Sequence, residues 1–109
     1  MAIDVGTIGS LKCEVNLNKI LMEINDPKIT KFVVPILVKF RYCLQQLAHI
    51  PDVSFRYNMM ARLRDDFSKK VRERNLPEDV VSHTCCAIMA YYRNAKRESD
   101  ANLPIDIDN

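Results

Sequence analysis

The sequence predicts an all-α protein, a compact bundle of four to five helices, and two observations carry that prediction. Only two glycines occur, Gly6 and Gly9, so the hundred residues from Ser10 onward hold none. Without glycine, the tight primed turns of hairpins, a phosphate-cradling loop and a nucleophile elbow are out of reach. The helices are therefore expected to join through short turns that need no positive φ. Apolar residues also step by three and four along the chain, which is the period of a helix face. A length of 109 residues suits one domain with a core of its own. With 48% hydrophobic and 28% charged residues the composition is globular, and a formal charge of +2 is too small to decide the kind of partner.

The first helix is expected from about Leu11 to Ile24, with Leu11, Val15, Leu17, Ile20, Leu21 and Ile24 on a broad apolar stripe. Asn25-Asp26-Pro27 ends it and restarts the chain, since aspartate caps a helix and proline suits its first turn. The second helix follows from about Lys28 to Ala48, its inner face drawn from Ile29, Phe32, Val33, Ile36, Leu37, Phe40, Cys43, Leu44 and Leu47. Pro35 should kink this helix or mark its true start. After the Ile50-Pro51 stop, Ser54 is the expected cap of a segment whose apolar residues are Phe55, Met59, Met60, Leu63, Phe67 and Val71. Charge thickens after Met60, and a break near Ala61 is expected. The last helix opens at Leu76-Pro77-Glu78-Asp79, with acids in the turn that the macrodipole favours. It runs to about Arg97, with Val80, Val81, Thr84, Cys85, Ile88, Met89 and Tyr92 inward. Residues 1–10 read as a flexible lead or an added remnant, 11–98 as the bundle, and 99–109 as a disordered acidic tail.

Catalytic chemistry has little to work with. His49 and His83 are the only neutral-pH bases; His49 sits beside the Ile50-Pro51 helix stop, and His83 lies on a different helical face from Ser82 and Cys85. The paired acids Asp65-Asp66 and Glu78-Asp79 are sequence neighbours that point apart on a helix, so neither forms a shared-proton dyad. Cys13, Cys43, Cys85 and Cys86 show no metal or disulfide-framework spacing and read as buried free thiols of a reducing compartment. A zinc site from His83, Cys85 and Cys86, completed by His49 or Cys13, is the rival reading. No run of eighteen apolar residues suggests a membrane span, and the opening ten residues do not read as a secretion signal. No enzyme activity, cofactor or metal is expected.

The charge is concentrated in one place. Between Arg56 and Arg74, seven cations stand against the three anions Asp65, Asp66 and Glu73. A solvated helix face, a surface for acidic proteins, and a nucleic-acid contact over Arg62 to Arg74 all fit such a run. The interleaved acids weigh against the last.

From Leu44 to Lys96 the order of motifs resembles the N-terminal domain family of transcription elongation factor TFIIS, the LW domain. Relatives of that family include Mediator and elongin subunits and the integrase-binding domain of lens-epithelium-derived growth factor. The matching features are Leu44 and Leu47 before Ile50-Pro51, Ser54 as a cap, and Leu63, Phe67 and Val71-Arg72 on a basic helix. They continue with Glu78 to Val80 and with the run from Ala87 to Arg93. The family's usual last-helix tryptophan is absent, with Tyr91 near its place, and Arg74 stands where the growth-factor relative carries an aromatic. The resemblance implies a nuclear, monomeric, non-enzymatic module. Its loops at one end would form an apolar notch for a hydrophobic residue of a disordered transcription or chromatin factor, with basic residues attracting the acids beside it. Carried over, Ile24, Asp26 and Leu76 would line the notch, Asp26 accepting a partner backbone N–H. Lys69, Lys70, Arg72 and Arg74 would supply the charge.

Overall fold

The computed structural model describes residues 12–100, the side chain of Cys13 excepted. Four helices fill that range: α1 (Lys12–Ile24), α2 (Pro27–Leu47), α3 (Val53–Glu73) and α4 (Glu78–Asp100). No strand occurs among the described residues, so the all-α bundle expected from the sequence is the fold.

The punctuation between helices is local chemistry. Asn25, at φ 52°, turns the chain at the end of α1. Asp26 then takes an extended conformation and accepts the Lys28 N–H at 3.0 Å, while Pro27 fills the first helical position. Pro35 lies inside α2 without ending it. It is exposed, and its missing N–H leaves the carbonyl of Lys31, also exposed, without a helical donor. Beyond α2 the guanidinium of Arg56 donates to the Ile50 carbonyl at 2.7 Å, tying the Ile50-Pro51 stop to the first turn of α3. At the far end of α3, the Arg74 N–H bonds the Val71 carbonyl at 3.3 Å and Asn75 turns the chain at φ 60°. Leu76 then packs against the core.

The last helix organises the bundle. α4 touches each of the other three, α2 and α3 pack on one another, and α1 lies chiefly on α4. Phe40, Phe67 and Tyr91 meet at the centre, one from each of α2, α3 and α4. Ring centroids are 5.2 Å apart for Phe40 and Phe67, and 6.5 Å for Phe40 and Tyr91, in tilted arrangements that suit ring quadrupoles. Around them Val33, Leu37, Leu44, Met60, Val71, Val80 and Ile88 are buried, and Ala87 and Ala95 keep α4 slim where neighbours approach. α1 buries Leu17 and Leu21, worth about 1.5–3 kcal/mol each, while its Met22 is 71% exposed.

Several expectations are corrected. α3 is continuous through Ala61, because alanine favours helix and the inner stripe of Met60, Phe67 and Val71 runs across that point; the dense charge simply points outward. Its cap is Asp52, whose carboxylate accepts the Phe55 N–H at 3.0 Å, and Ser54 falls within the first turn. Two turns do use positive φ, supplied by Asn25 and Asn75, since asparagine tolerates the left-handed region better than other residues with a Cβ. Val15 and Ile24 lie exposed rather than inward, and Glu14 takes the buried place. In α4, Tyr91 is fully buried and Tyr92 sits at the edge. α4 also continues to Asp100, past the expected boundary at 98. The expected lead 1–10 and the rest of the expected tail, 101–109, lie outside the described residues.

Candidate functional site

The two turns predicted to form a notch lie at one end of the bundle. The Arg74 guanidinium sits 4.6 Å from the centre of the Phe32 ring, which joins the end of α3 to the first turns of α2. Ile24 and Asp26 lead into α2 at this end, and Leu76 leads away from α3. Leu76 is half-buried against the core and Ile24 is exposed. The Asp26 carboxylate is already engaged as the α2 cap, so a partner N–H would have to share it. Arg74 covers Phe32 with its own cation, the contact that an aromatic guest would displace.

A different concavity takes up two of the expected cations. An open groove of about 480 Å³ runs between α2 and α3, with Cys43, Leu63 and Phe67 as its apolar lining and Lys39, Lys69 and Lys70 among its charges. Asp66 and Glu73 border it as well. The Lys70 ammonium lies 5.3 Å from the Phe67 ring centre, one turn away on the same helix. Lys39 and Cys43 come from α2 and lie outside the basic run in sequence.

The rest of that run is distributed around α3 rather than gathered in one stripe. Arg64 bonds Asp65 at 2.9 Å and stacks 4.5 Å from the centre of Tyr92 on α4. Arg72 lies near enough to Cys85 of α4 to act on its thiol, and Arg74 is committed to Phe32. A nucleic-acid surface over Arg62 to Arg74 would need these charges on one face.

Groups with possible chemistry are otherwise occupied. His83 places Nδ1 2.8 Å from the Asp79 carbonyl, within its own helix. Cys86 is engaged in a disulfide, which corrects the expectation of four free thiols; Cys43 and Cys85 are free. Burial raises the Cys85 thiol above its ordinary value, and the charge of Arg72 opposes the shift. Among the described residues no group of three or more His, Cys, Asp or Glu side chains could hold a metal ion.

Sequence reading missed Glu14. It is 1% exposed, and its carboxylate oxygens are buried without a hydrogen bond. Burial raises its carboxyl above the ordinary range, opposed by the charge of Arg41 and by the Tyr91 hydroxyl, which lies close but outside hydrogen-bond geometry. The Tyr91 hydroxyl is buried too, and its own ionisation is pushed up by that burial and by the facing Glu14. The signal was present: Glu14 continues the Leu17 and Leu21 stripe one turn back.

No family model matches the chain, and neither a curated protein nor a solved structure does.

Proposed function

We propose that this helical bundle is a non-enzymatic interaction module that docks short hydrophobic segments flanked by acids, carried by disordered partners in transcription elongation or chromatin regulation. The observation that supports it is the α2–α3 groove, where an apolar lining of Leu63, Phe67 and Cys43 lies beside Lys39, Lys69 and Lys70. An apolar seat fixes register, while nearby cations hasten encounter with acidic chains. A second seat, at the end of the bundle between Ile24 and Leu76, is favoured by the Arg74 and Phe32 stack. A nuclear, monomeric protein belongs to this reading through the TFIIS-like order of motifs. The Cys86 disulfide favours an oxidising compartment instead, so the thiol state in cells decides localisation.

Capture from nuclear extract, treated with nuclease, tests the reading when the wild-type chain is compared with Lys39→Glu/Lys69→Glu/Lys70→Glu and with Arg62→Glu. A partner retained by wild type and Arg62→Glu but lost by the triple variant is expected. Its minimal binding segment should lose about tenfold or more in affinity on titration with the triple variant, equivalent to about 1.4 kcal/mol. Loss of that segment on Leu76→Ala but not on the triple variant would move the seat to the end of the bundle. Equal loss with every cation removed, reversed by nuclease, would make the basic helix a nucleic-acid surface and overturn the proposal.

A further inference from the structure

The residues that follow α4 carry the chemistry that the docking groove is suited to. In the segment 101–109, Leu103, Ile105 and Ile107 alternate with Pro104, Asp106 and Asp108, and no cation intervenes. Proline biases the residue before it toward extended backbone, and in an extended chain every second side chain falls on one face. Such a segment offers aliphatic side chains on one side and carboxylates on the other. The groove between α2 and α3 is the complement, with Cys43, Leu63 and Phe67 as apolar surface and Lys39, Lys69 and Lys70 along it. Asp66 and Glu73 border it too, yet none of the three lysines is within ion-pair distance of a carboxylate among the described residues, so their charge is open to a guest.

The chain is long enough to make the connection. The Lys96 ammonium lies 5.6 Å from the Tyr57 ring centre, so the end of α4 passes the start of α3. Asp100 is about 6 Å further along α4, and Leu63 is about 9 Å back along α3 from Tyr57. Adding about 10–15 Å to cross the width of a helix puts Leu63 roughly 18–21 Å from Asp100. The stretch from Asp100 to Ile107, fully extended, covers at most about 23–25 Å.

We propose that residues 103–108 fold back into the α2–α3 groove of the same chain, with Ile105 and Ile107 on Leu63 and Cys43 and with Asp106 and Asp108 toward the lysines. An outside partner then has to displace a built-in competitor. The proposal rests on the docking reading and names the first occupant of that seat. A short link holds the segment at an effective concentration of about 1 mM, so a seat of about 0.1–0.3 mM affinity is filled roughly three to ten times as often as it is empty. An outside partner binds more weakly by about that factor while the segment is present.

Alkylation of the full chain by a neutral reagent, without reductant and followed at each cysteine by mass measurement, tests the seat. Cys43 is a free thiol in the groove, and Cys85, free on α4 near Arg72, is the internal reference. Ile105→Ser/Ile107→Ser removes the apolar face of the segment without altering a described residue. It should speed Cys43 alkylation about threefold or more and leave Cys85 unchanged. A synthetic peptide of residues 101–109, added to that variant, should slow Cys43 again, and should fail to do so once Lys39→Glu/Lys69→Glu/Lys70→Glu is added. Equal Cys43 rates in wild type and the Ile105→Ser/Ile107→Ser chain overturn the in-chain seat. Protection that grows with protein concentration overturns it as well, since the segment would then fill the groove of a second copy. The docking reading is judged separately, by whether a captured partner depends on the three lysines, so either can fail without the other.

Discussion

Arg74 holds its guanidinium 4.6 Å from the centre of the Phe32 ring, and through that stack the last residue before one turn is fastened to the helix that follows another. The pair should couple by about 0.5–1 kcal/mol in a double-mutant cycle of Arg74→Ala and Phe32→Leu. Urea denaturation of the four chains measures it. Strict additivity would show that the stack contributes nothing in solution.

Asp52 and Asp26 each accept a backbone N–H at 3.0 Å, at the starts of α3 and α2. Asp52→Ala and Asp26→Ala should each cost about 1 kcal/mol, while Ser54→Ala, within the first turn, should change stability by no more than about 0.5 kcal/mol. Shifts in the urea midpoint at constant slope distinguish them. A larger loss at Ser54 than at Asp52 would return the cap to the serine.

Asn25 and Asn75 both adopt left-handed backbone, at φ 52° and 60°. Glycine at either position should be tolerated or slightly stabilising, whereas alanine should cost about 1–2 kcal/mol through the clash of its Cβ. The ordering Gly, Asn, Ala in thermal midpoint is the expected result at both sites. Equal midpoints for the glycine and alanine variants would show that these turns relax to negative φ.

Global stability should fall as pH climbs out of the acid range on account of Glu14. Its carboxyl is raised by burial above the ordinary unfolded value of about 4.3, so between the two values the folded chain keeps a proton that the unfolded chain has released. The stabilising contribution is therefore full below the unfolded value and is lost as pH rises through the folded one. Unfolding free energies of wild type and Glu14→Gln, taken as a pH series, should diverge in that window, with the variant increasingly favoured. A constant difference between the two chains would mean that Glu14 does not titrate there.

With Cys86 in a disulfide, the chain denatured without reductant should yield fewer than the four thiols of its sequence, and the reduced chain all four. Quantitative alkylation followed by mass measurement gives both numbers. Four reactive thiols before reduction would restore the reducing-compartment reading.

The helices were legible because their apolar periods are strong and because Asp26-Pro27 and Pro77-Glu78-Asp79 mark starts by known chemistry. What escaped was phase and choice between like residues. Tyr91 and Tyr92 differ by about 100° around the helix axis, an error that a stripe drawn over 23 residues can absorb, and it decides which ring joins Phe40 in the core. Asp52 and Ser54 are both good caps two residues apart, and only the backbone conformation at Asp52 separates them. The left-handed turns are hidden in the sequence because asparagine, unlike glycine, is found mostly at negative φ and does not mark them. For the site, Lys69 and Lys70 stood out by charge, but the groove could not be read, since Lys39 and Cys43 reach it only once α2 is laid beside α3.

A chain is synthesised in order, and here the helix that touches every other comes last of the four. α2 and α3 can pair as soon as both have left the ribosome, yet Phe40 and Phe67 then lack Tyr91, and Leu17 lacks its floor. At 5–20 residues per second, the stretch from the end of α2 to the end of α4 takes roughly 3–10 s to make. Through that interval α1 lacks its chief surface, because its contacts with α4 span most of the described chain. Closure of the core therefore awaits α4, and a stall in translation before Tyr91 would leave a hairpin with its aromatic face bare to chaperones or to another nascent copy.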